Sequence, residues 1–532
     1  MKKFQLILLV LTHCCCVTLS ISFQNHVTPS SPDLVSCLKS KFNNVNGFSH
    51  LIFTPNNVSF LPIWEVGVNN HRFNKSSTPK PLVIVTPVDN AQIRATLLCC
   101  KKHGYDMRIR SGGHDFEGVS STADVPFVML DLTKMRSVDV DVTKKTMWVQ
   151  GGATLGEVYY AISRKTNKLY FPGGICPTVG VGGYIGGGGY GNMMRKYGLA
   201  ADNVVDVRFM NVHGKILNKK TMGEDLFWAI RGGGAASFGI VLAWKLRLVQ
   251  VPELVTVFLV NITLEQGATE IFYKYQHVIP KIDENLSIRV QMSSENIGNT
   301  NKKTVRMLFF GLYQGSMDTL LSLLDEKYPE LAVTRDICQE VTMVQSTLFY
   351  EGYPTDTLLE VLANLTTNIR LNGQSKLDYV RTPIPISGLK KIWRKMFESV
   401  GSTVIMQPFG GKMDEYSETA TPYPHRAGVL YQFHQWVQFY GQTSDMTPIS
   451  LQRISWLRKF NKYITPYVSK NPREAYYNYI DFDLGVGSAT YEEASVWGNK
   501  YWKIDNFKKL IRIKAKVDPH NFFKHPQSIP VF

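Results

Sequence analysis

The sequence predicts an α+β protein of two domains, one mixing strands and helices and the other an antiparallel sheet backed by helices. Three observations carry this. A chain of 532 residues exceeds a single hydrophobic core. Strand-like and helix-like periodicities alternate up to residue 250, and beyond Pro252 the texture changes. Around Ala475 it shifts back, so the chain divides at 23–250, 251–474 and 475–532, the last stretch rejoining the first domain.

Residues 1–22 read as an export signal, because Lys2 and Lys3 precede an apolar run over 6–17 and Ser20 and Ser22 offer cleavage points. A membrane anchor is the alternative reading, but the stretch 4–21 is short and broken by Thr12 and His13. No later stretch is long and apolar enough to span a bilayer. A helix over 33–41 follows, capped by Ser31 or Asp33, then a buried strand at 82–87 and a helix at 90–103. Strands at 107–110, 127–132 and 147–150 come next. Leu155, Val158, Tyr159 and Ile162 place a helix over 154–166. A glycine-rich segment fills 173–191, and strands at 199–214 and 238–249 flank a helix at 223–229. Beyond Pro252, strands at 256–263, 286–293 and 304–311 alternate with helices at 269–279 and 318–328. A terminal helix over 501–517 stops before Pro519.

The formal charge of +16 invites a nucleic-acid partner, but the basic residues are dispersed and no helix-turn-helix, zinc or RNP pattern accompanies them. The cluster from Lys508 to Lys516 has apolar residues at helical spacing and reads as a solvated helix face. The charge is a surface property, suited to adhesion on acidic wall polymers. Of eight cysteines, Cys14, Cys15 and Cys16 lie in the signal, leaving Cys37, Cys99, Cys100, Cys176 and Cys338. Sequons at Asn57, Asn74, Asn261, Asn285 and Asn364 fit a secretory route, where disulfide pairing is favoured.

The chemistry is concentrated in two glycine-rich turns. His114 sits in Arg110-Ser111-Gly112-Gly113-His114-Asp115, and Cys176 in Pro172-Gly173-Gly174-Ile175-Cys176-Pro177-Thr178-Val179-Gly180. Glycine allows close backbone approach to a planar ligand, which a nucleophilic side chain in the turn can then bond. Alone, His114 reads as a structural histidine and Cys176 as a buried thiol or disulfide half. The run from Gly182 to Gly191 has too many glycines for a regular element, and its successive N–H groups suggest a nest for a diphosphate. It leads into Arg195-Lys196-Tyr197-Gly198-Leu199-Ala200-Ala201-Asp202-Asn203, and Arg231-Gly232-Gly233-Gly234 and Ser237-Phe238-Gly239 follow. A Rossmann-type dinucleotide fingerprint is absent.

Together these motifs resemble the berberine bridge enzyme-like flavoproteins, from Cys37 to the terminal Val517-Asp518-Pro519-His520-Asn521-Phe522-Phe523. The resemblance implies a two-domain vanillyl-alcohol-oxidase/PCMH-type fold. Residues 23–250 and 475–532 would bind FAD and residues 251–474 the substrate. It implies FAD bonded to both His114 and Cys176, cradled by Arg110, Ser111, Gly112, Gly113, Gly174 and Gly180. The glycines Gly182, Gly183, Gly186, Gly187 and Gly191, with Tyr190, Asn478 and Tyr479, would complete that site. It also implies a Cys37–Cys99 disulfide, with Cys100 an adjacent competitor, and no metal. A doubly attached flavin is electron-poor and suits hydride abstraction from a poor donor. In the family, the positions of Val179 and Gly174 face the oxygen-reacting side. Small residues there imply dioxygen as acceptor and hydrogen peroxide as product, unless Val179 merely packs a turn.

Substrate activation departs from the family pattern. The usual Asn-Tyr-Arg-Asp reads Asn478-Tyr479-Ile480-Asp481, Phe116 replaces a frequent tyrosine, and Tyr184 replaces the histidine of Gly-Gly-His. Tyr479 matches the tyrosine that serves relatives as base, a role requiring a lowered pKa. On a strand through Leu430–Trp436 the side chains of Gln432, His434 and Trp436 share a face. His434 is a candidate base or substrate donor, with a satisfied core histidine as its plain alternative. The Arg289/Gln291/Ser293 stripe is a further candidate lining, or a solvent-exposed face.

These features imply a secreted, monomeric plant oxidase or oxidative cyclase of specialised metabolism. It would be extracellular or vacuolar and act on a phenolic, prenylated phenolic or alkaloid. The alternative is a flavin-containing cyclase joining two phenolic partners by Diels–Alder cycloaddition without net redox change. A carbohydrate oxidase and a pollen-type binding protein rank behind both.

Overall fold

The computed structural model describes residues 32–42, 50–364, 373–399, 401–439 and 447–532; the expected export signal and the Ser31 cap lie outside the described residues. A four-stranded sheet comes first, in the order Ile52–Phe53, Val83–Val85, Phe127–Asp131, Asp106–Arg110. Its last three strands pair in parallel. Parallel neighbours need a crossover, and the helix Asn90–His103 supplies one. That helix forms where the sequence places its caps. The Asp89 carboxylate accepts from Gln92 N at 2.8 Å, and Gly104 closes the end at φ 72°. The turn carrying His114 leaves the carboxyl end of Asp106–Arg110.

A five-stranded antiparallel sheet follows, in the order Val138–Asp141, Thr146–Gln150, Ile240–Arg247, Val204–Met210, Ile216–Leu217. Val149, Phe209, Phe238 and Trp244 from this part share one core with Trp497, Tyr501, Trp502, Phe507 and Leu510 near the C-terminus. The chain end thus packs against its first half. Its helix begins at Tyr491, ten residues before the predicted start, and is broken at Lys503, where φ is 58°.

The largest sheet has seven antiparallel strands, in the order Cys338–Val341, Val255–Thr263, Lys303–Tyr313, Leu286–Asn296, Ser402–Pro408, Tyr431–Gln438, Gly373–Val380. Period-two alternation gives it two different faces. Ile288, Val290, Met292, Val404, Met406, Tyr431 and Phe433 point into a core completed by Phe272, Leu324, Trp393 and Phe460 of covering helices. Arg289, Gln407, His434 and Trp436 take the opposite face.

Cys37 pairs with Cys99, joining the helix Pro32–Lys41 to Asn90–His103 across 62 residues. Closing a loop of that length removes unfolded-state entropy worth about 4 kcal/mol. The rival Cys100 is a buried free thiol. The five sequon asparagines are all half-buried or exposed. Among the described residues, no helix is long and apolar enough to cross a membrane.

Candidate active site

A cavity of about 490 Å³ runs between the two smaller sheets and the helix-free face of the large one. One end is walled by backbone. A Cβ on Gly112 would stand 2.4 Å from Gly180 N, and one on Gly180 would stand 2.2 Å from Gly112 N. The histidine turn and the cysteine turn therefore touch through bare backbone, which brings His114 and Cys176 to one cavity. Gly113 adopts φ 66°, and a Cβ there would meet Gly67 O at 2.0 Å. The first free N–H groups of the helix Leu155–Ser163 clamp the cysteine turn, Leu155 N donating to Val179 O at 3.0 Å and Gly156 N to Pro177 O at 2.7 Å.

The glycine run differs from the sequence reading. Residues 181–186 form the short helix Val181–Gly186 rather than an irregular nest. Three N–H groups of the run are engaged within the protein: Gly182 N donates to Ser111 Oγ at 3.3 Å, Gly187 N to Gly183 O at 3.2 Å, and Gly189 N to the Tyr476 hydroxyl at 3.0 Å. The glycines are needed for close packing instead. A Cβ on Gly187 would meet Asn478 Oδ1 at 1.9 Å, and one on Gly186 would meet Ala235 at 3.0 Å. Neither residue lines the cavity. Gly183 does, and beyond its own helix and chain neighbours nothing lies within 4 Å of where its Cβ would stand, so its backbone is offered to a ligand. Arg110, the implied cofactor contact, is also off the wall; its guanidinium is held by Asp131 at 2.6 Å and by Trp64 O at 2.8 Å.

His114 and Cys176 both line the lumen. Burial holds the imidazole at about 4, so it is neutral at physiological pH. Thr178 Oγ1 engages its Nε2 at 2.8 Å. Cys176 is exposed, but to the lumen. The surrounding protein, then Glu351, push its thiol up to about 12 against the pull of Arg289. Arg108 and Lys524 add positive charge to the wall.

The other end is aromatic. Phe116 meets Tyr479 edge-on at 5.1 Å and Trp436 at 5.5 Å, and the His434 ring lies 4.6 Å from that of Tyr479. The hydroxyls of Tyr190 and Tyr479 are 2.5 Å apart. Tyr184 donates to Tyr190 O at 2.8 Å, and Asn478 Nδ2 donates to Tyr184 O and to the Tyr476 hydroxyl, each at 2.8 Å. Burial first, then Arg289, lower His434 to about 3, leaving it neutral with Nε2 buried and unpartnered. A base role for Tyr479 needs a lowered pKa, and the direction here is the opposite. Burial and the neighbouring Tyr190 phenol raise it well above the ordinary tyrosine value.

Of the predicted strand residues, Arg289, His434 and Trp436 reach the cavity; Gln291 and Gln432 do not line it. Gln432 is buried beside Tyr190, with neither amide atom in hydrogen-bonding geometry. Sequence reasoning missed Tyr476, Gln407 and His525. The signal for Gln407 was its alternation with Val404 and Met406; for Tyr476, its place beside Asn478 and Tyr479. Among the described residues, no group of His, Cys, Asp and Glu could hold a metal ion.

Bare backbone facing the lumen, two nucleophiles on one wall and a cationic rim fit a dinucleotide whose ring system extends toward the aromatic end. The site is that of an FAD-linked oxidoreductase. An FAD binding domain family model matches residues 81–219, and a second, described as berberine and berberine like, matches 475–530. Tetrahydroberberine oxidase of Berberis wilsoniae is 44% identical over 507 residues, covering 94% of each chain. Among solved structures, berberine bridge enzyme-like 28 from Arabidopsis thaliana superposes with a TM-score of 0.88 at 41% identity, covering 94% of this chain and 99% of that one. Phl p 4, a grass pollen allergen with glucose dehydrogenase activity, gives 0.88 at 37% identity, covering 94% and 100%. The chain belongs to the berberine bridge enzyme-like family, with its two-domain PCMH-type α+β fold and its FAD.

Proposed function

We propose that the protein oxidises a flat aromatic small molecule, a phenolic, prenylated phenolic or alkaloid, with FAD bonded to both His114 and Cys176 and dioxygen as final acceptor. One observation carries this reading: the aromatic cluster and the unpartnered His434 share a single cavity with the two nucleophiles. Residues 23–250 and 475–532 hold the cofactor, and residues 251–474 supply the His434 and Trp436 side of a substrate wall that Phe116, Tyr190 and Tyr479 complete. Bound FAD supplies the two-electron acceptor for a hydride.

This chain's residues do the rest. Phe116 and Trp436 hold the substrate ring by edge and face contacts. His434 Nε2, neutral and without a hydrogen-bond partner, is the acceptor facing the substrate. Held at about 3, it takes the substrate proton only as loss of the hydride makes that proton strongly acidic. Tyr479, protonated and hydrogen-bonded to Tyr190, orients the substrate as a donor and is the second group able to relay a proton. Tyr184 and Asn478 fix that phenol pair. Val179 and Gly174 leave room for dioxygen. An apolar, aromatic wall with Phe116 suits rings better than sugars. The sequons, the disulfide and the expected signal support export to the cell exterior or vacuole.

A second reading has its own support. Tyr479 held protonated and His434 held at about 3 are weak bases but good hydrogen-bonding partners, which suits a cycloaddition of two phenolic partners held in near-attack geometry. Anaerobic incubation with a panel of phenolics, prenylated phenolics and alkaloids separates the two. Bleaching of the flavin band with product formation is the expected outcome. Product without bleaching or oxygen uptake selects the cyclase, and neither product nor bleaching with any donor removes both.

A further inference from the structure

Cys176 faces the lumen as a protonated thiol, and only a thiolate is a competent nucleophile. Joining it to the flavin, as the proposed function requires, therefore needs a group to take its proton. The titratable groups around the sulfur are Glu351, Arg289 and the phenols of Tyr159, Tyr184, Tyr190 and Tyr479. Burial keeps all four phenols protonated and Arg289 is a cation, so none of these accepts a proton at neutral pH. Glu351 is the remaining group, and its carboxyl sits close enough to the sulfur for each to shift the other's titration.

We infer that Glu351 is the general base that deprotonates Cys176 for thioether formation with the flavin ring.

The fold holds this pair in place. Glu351 caps the helix Met343–Tyr350, and Gly352 at φ 78° ends it, Gly352 N donating to Phe349 O at 3.1 Å and Tyr353 N to Leu348 O at 3.0 Å. One turn back, Thr347 Oγ1 lies 2.7 Å from the Tyr170 hydroxyl. Tyr170 stacks on Tyr159 at 4.8 Å, and Tyr159 donates to Gly174 O, two residues before the cysteine. The helix end that carries Glu351 and the turn that carries Cys176 are thus linked by a run of packed and hydrogen-bonded groups. Burial first, opposed by Arg289 and by Cys176, leaves the carboxyl at about 7, close to the working pH where a base is most effective.

The step balances with dioxygen as oxidant. The S–H proton passes to Glu351, sulfur bonds a ring carbon, and that carbon loses its hydrogen as a proton. The electron pair left in the ring passes to dioxygen, which becomes hydrogen peroxide.

The test expresses full-length wild type, E351Q and E351D and reads flavin mass on the tryptic peptides containing residues 114 and 176. Flavin on the His114 peptide reports that each variant has folded and bound FAD. In E351Q we expect a flavin-bearing His114 peptide with the Cys176 adduct reduced about tenfold or more. Incubation in air at pH 9 then restores the adduct, because hydroxide replaces the missing base, and E351D keeps it at neutral pH. A Cys176 adduct in E351Q at the wild-type level and rate overturns the proposal, as does an E351Q adduct that alkaline incubation fails to restore. A wild-type Cys176 peptide with no added mass is a different failure, removing the double attachment on which this inference rests.

Discussion

The two ends of the cavity are built on opposite terms. At the flavin end the wall is main chain, and its shape is set by what cannot be there: any side chain at Gly112 or Gly180 collides with the other turn. At the aromatic end the wall is side chain, with His434 and Trp436 on one face of a sheet whose other face is packed with apolar residues, and Phe116, Tyr190 and Tyr479 set against them from outside that sheet. The first end tolerates almost no change. The second can be altered residue by residue while the backbone stays put. A site divided in this way keeps its cofactor fixed and leaves its choice of substrate open.

The sharpest way to break that contrast is at the two nucleophiles. The double variant H114A/C176A should release all its flavin on unfolding, while either single variant retains it through the other bond; absorbance of the denatured, filtered protein reads the outcome. Full release from one single variant ends the double attachment. At the aromatic end, H434A should lower kcat by about 10²–10⁴, or roughly 3–5 kcal/mol, with flavin content unchanged. A loss confined to KM would make His434 a binding group instead.

Smaller effects sharpen the comparison. G180V places its branched side chain against Gly112 N and should cost about 1–3 kcal/mol of stability, seen as a lower Tm and paler protein. Asp483 tests what secures the chain end behind the aromatic wall. Burial raises its pKa, but Arg458 and Lys376 outweigh this and hold it at about 2, against 3.8 ordinarily. A depressed carboxyl stabilises above its unfolded pKa and loses that contribution as pH falls through the folded value. D483N should therefore be about 1–2 kcal/mol less stable than wild type at pH 7, discounted for its half-exposed position. The gap should close between about pH 4 and pH 2. W436L should cost least, about 0.5–1.5 kcal/mol in KM from the lost ring contacts, with kcat nearly intact.

The same division explains what could be read in advance. Glycine spacing is a local signal, so the turns of His114 and Cys176 stood out, and so did the strand face of His434 and Trp436. The glycine run was legible only in part, because Gly182, Gly183 and Gly191 line the cavity while Gly186 and Gly187 serve close packing. Gly373–Val380 was invisible for another reason. It is wholly buried yet carries Lys376 and Asp378, which are tolerated because Lys376 meets Asp481 at 2.7 Å and Asp378 meets Arg473, partners about a hundred residues away. No alternation survives in such a strand. Glu351 was equally silent, since a carboxylate ending a helix means nothing until the fold brings the cysteine turn to it.

Alternation along Leu286–Asn296, Ser402–Pro408 and Tyr431–Gln438 has an evolutionary side. Neighbouring codons in these strands answer to separate pressures, every second one to folding and the next to chemistry. A lineage can therefore drift toward new metabolites by point changes at alternate positions, without first acquiring compensating changes to remain folded.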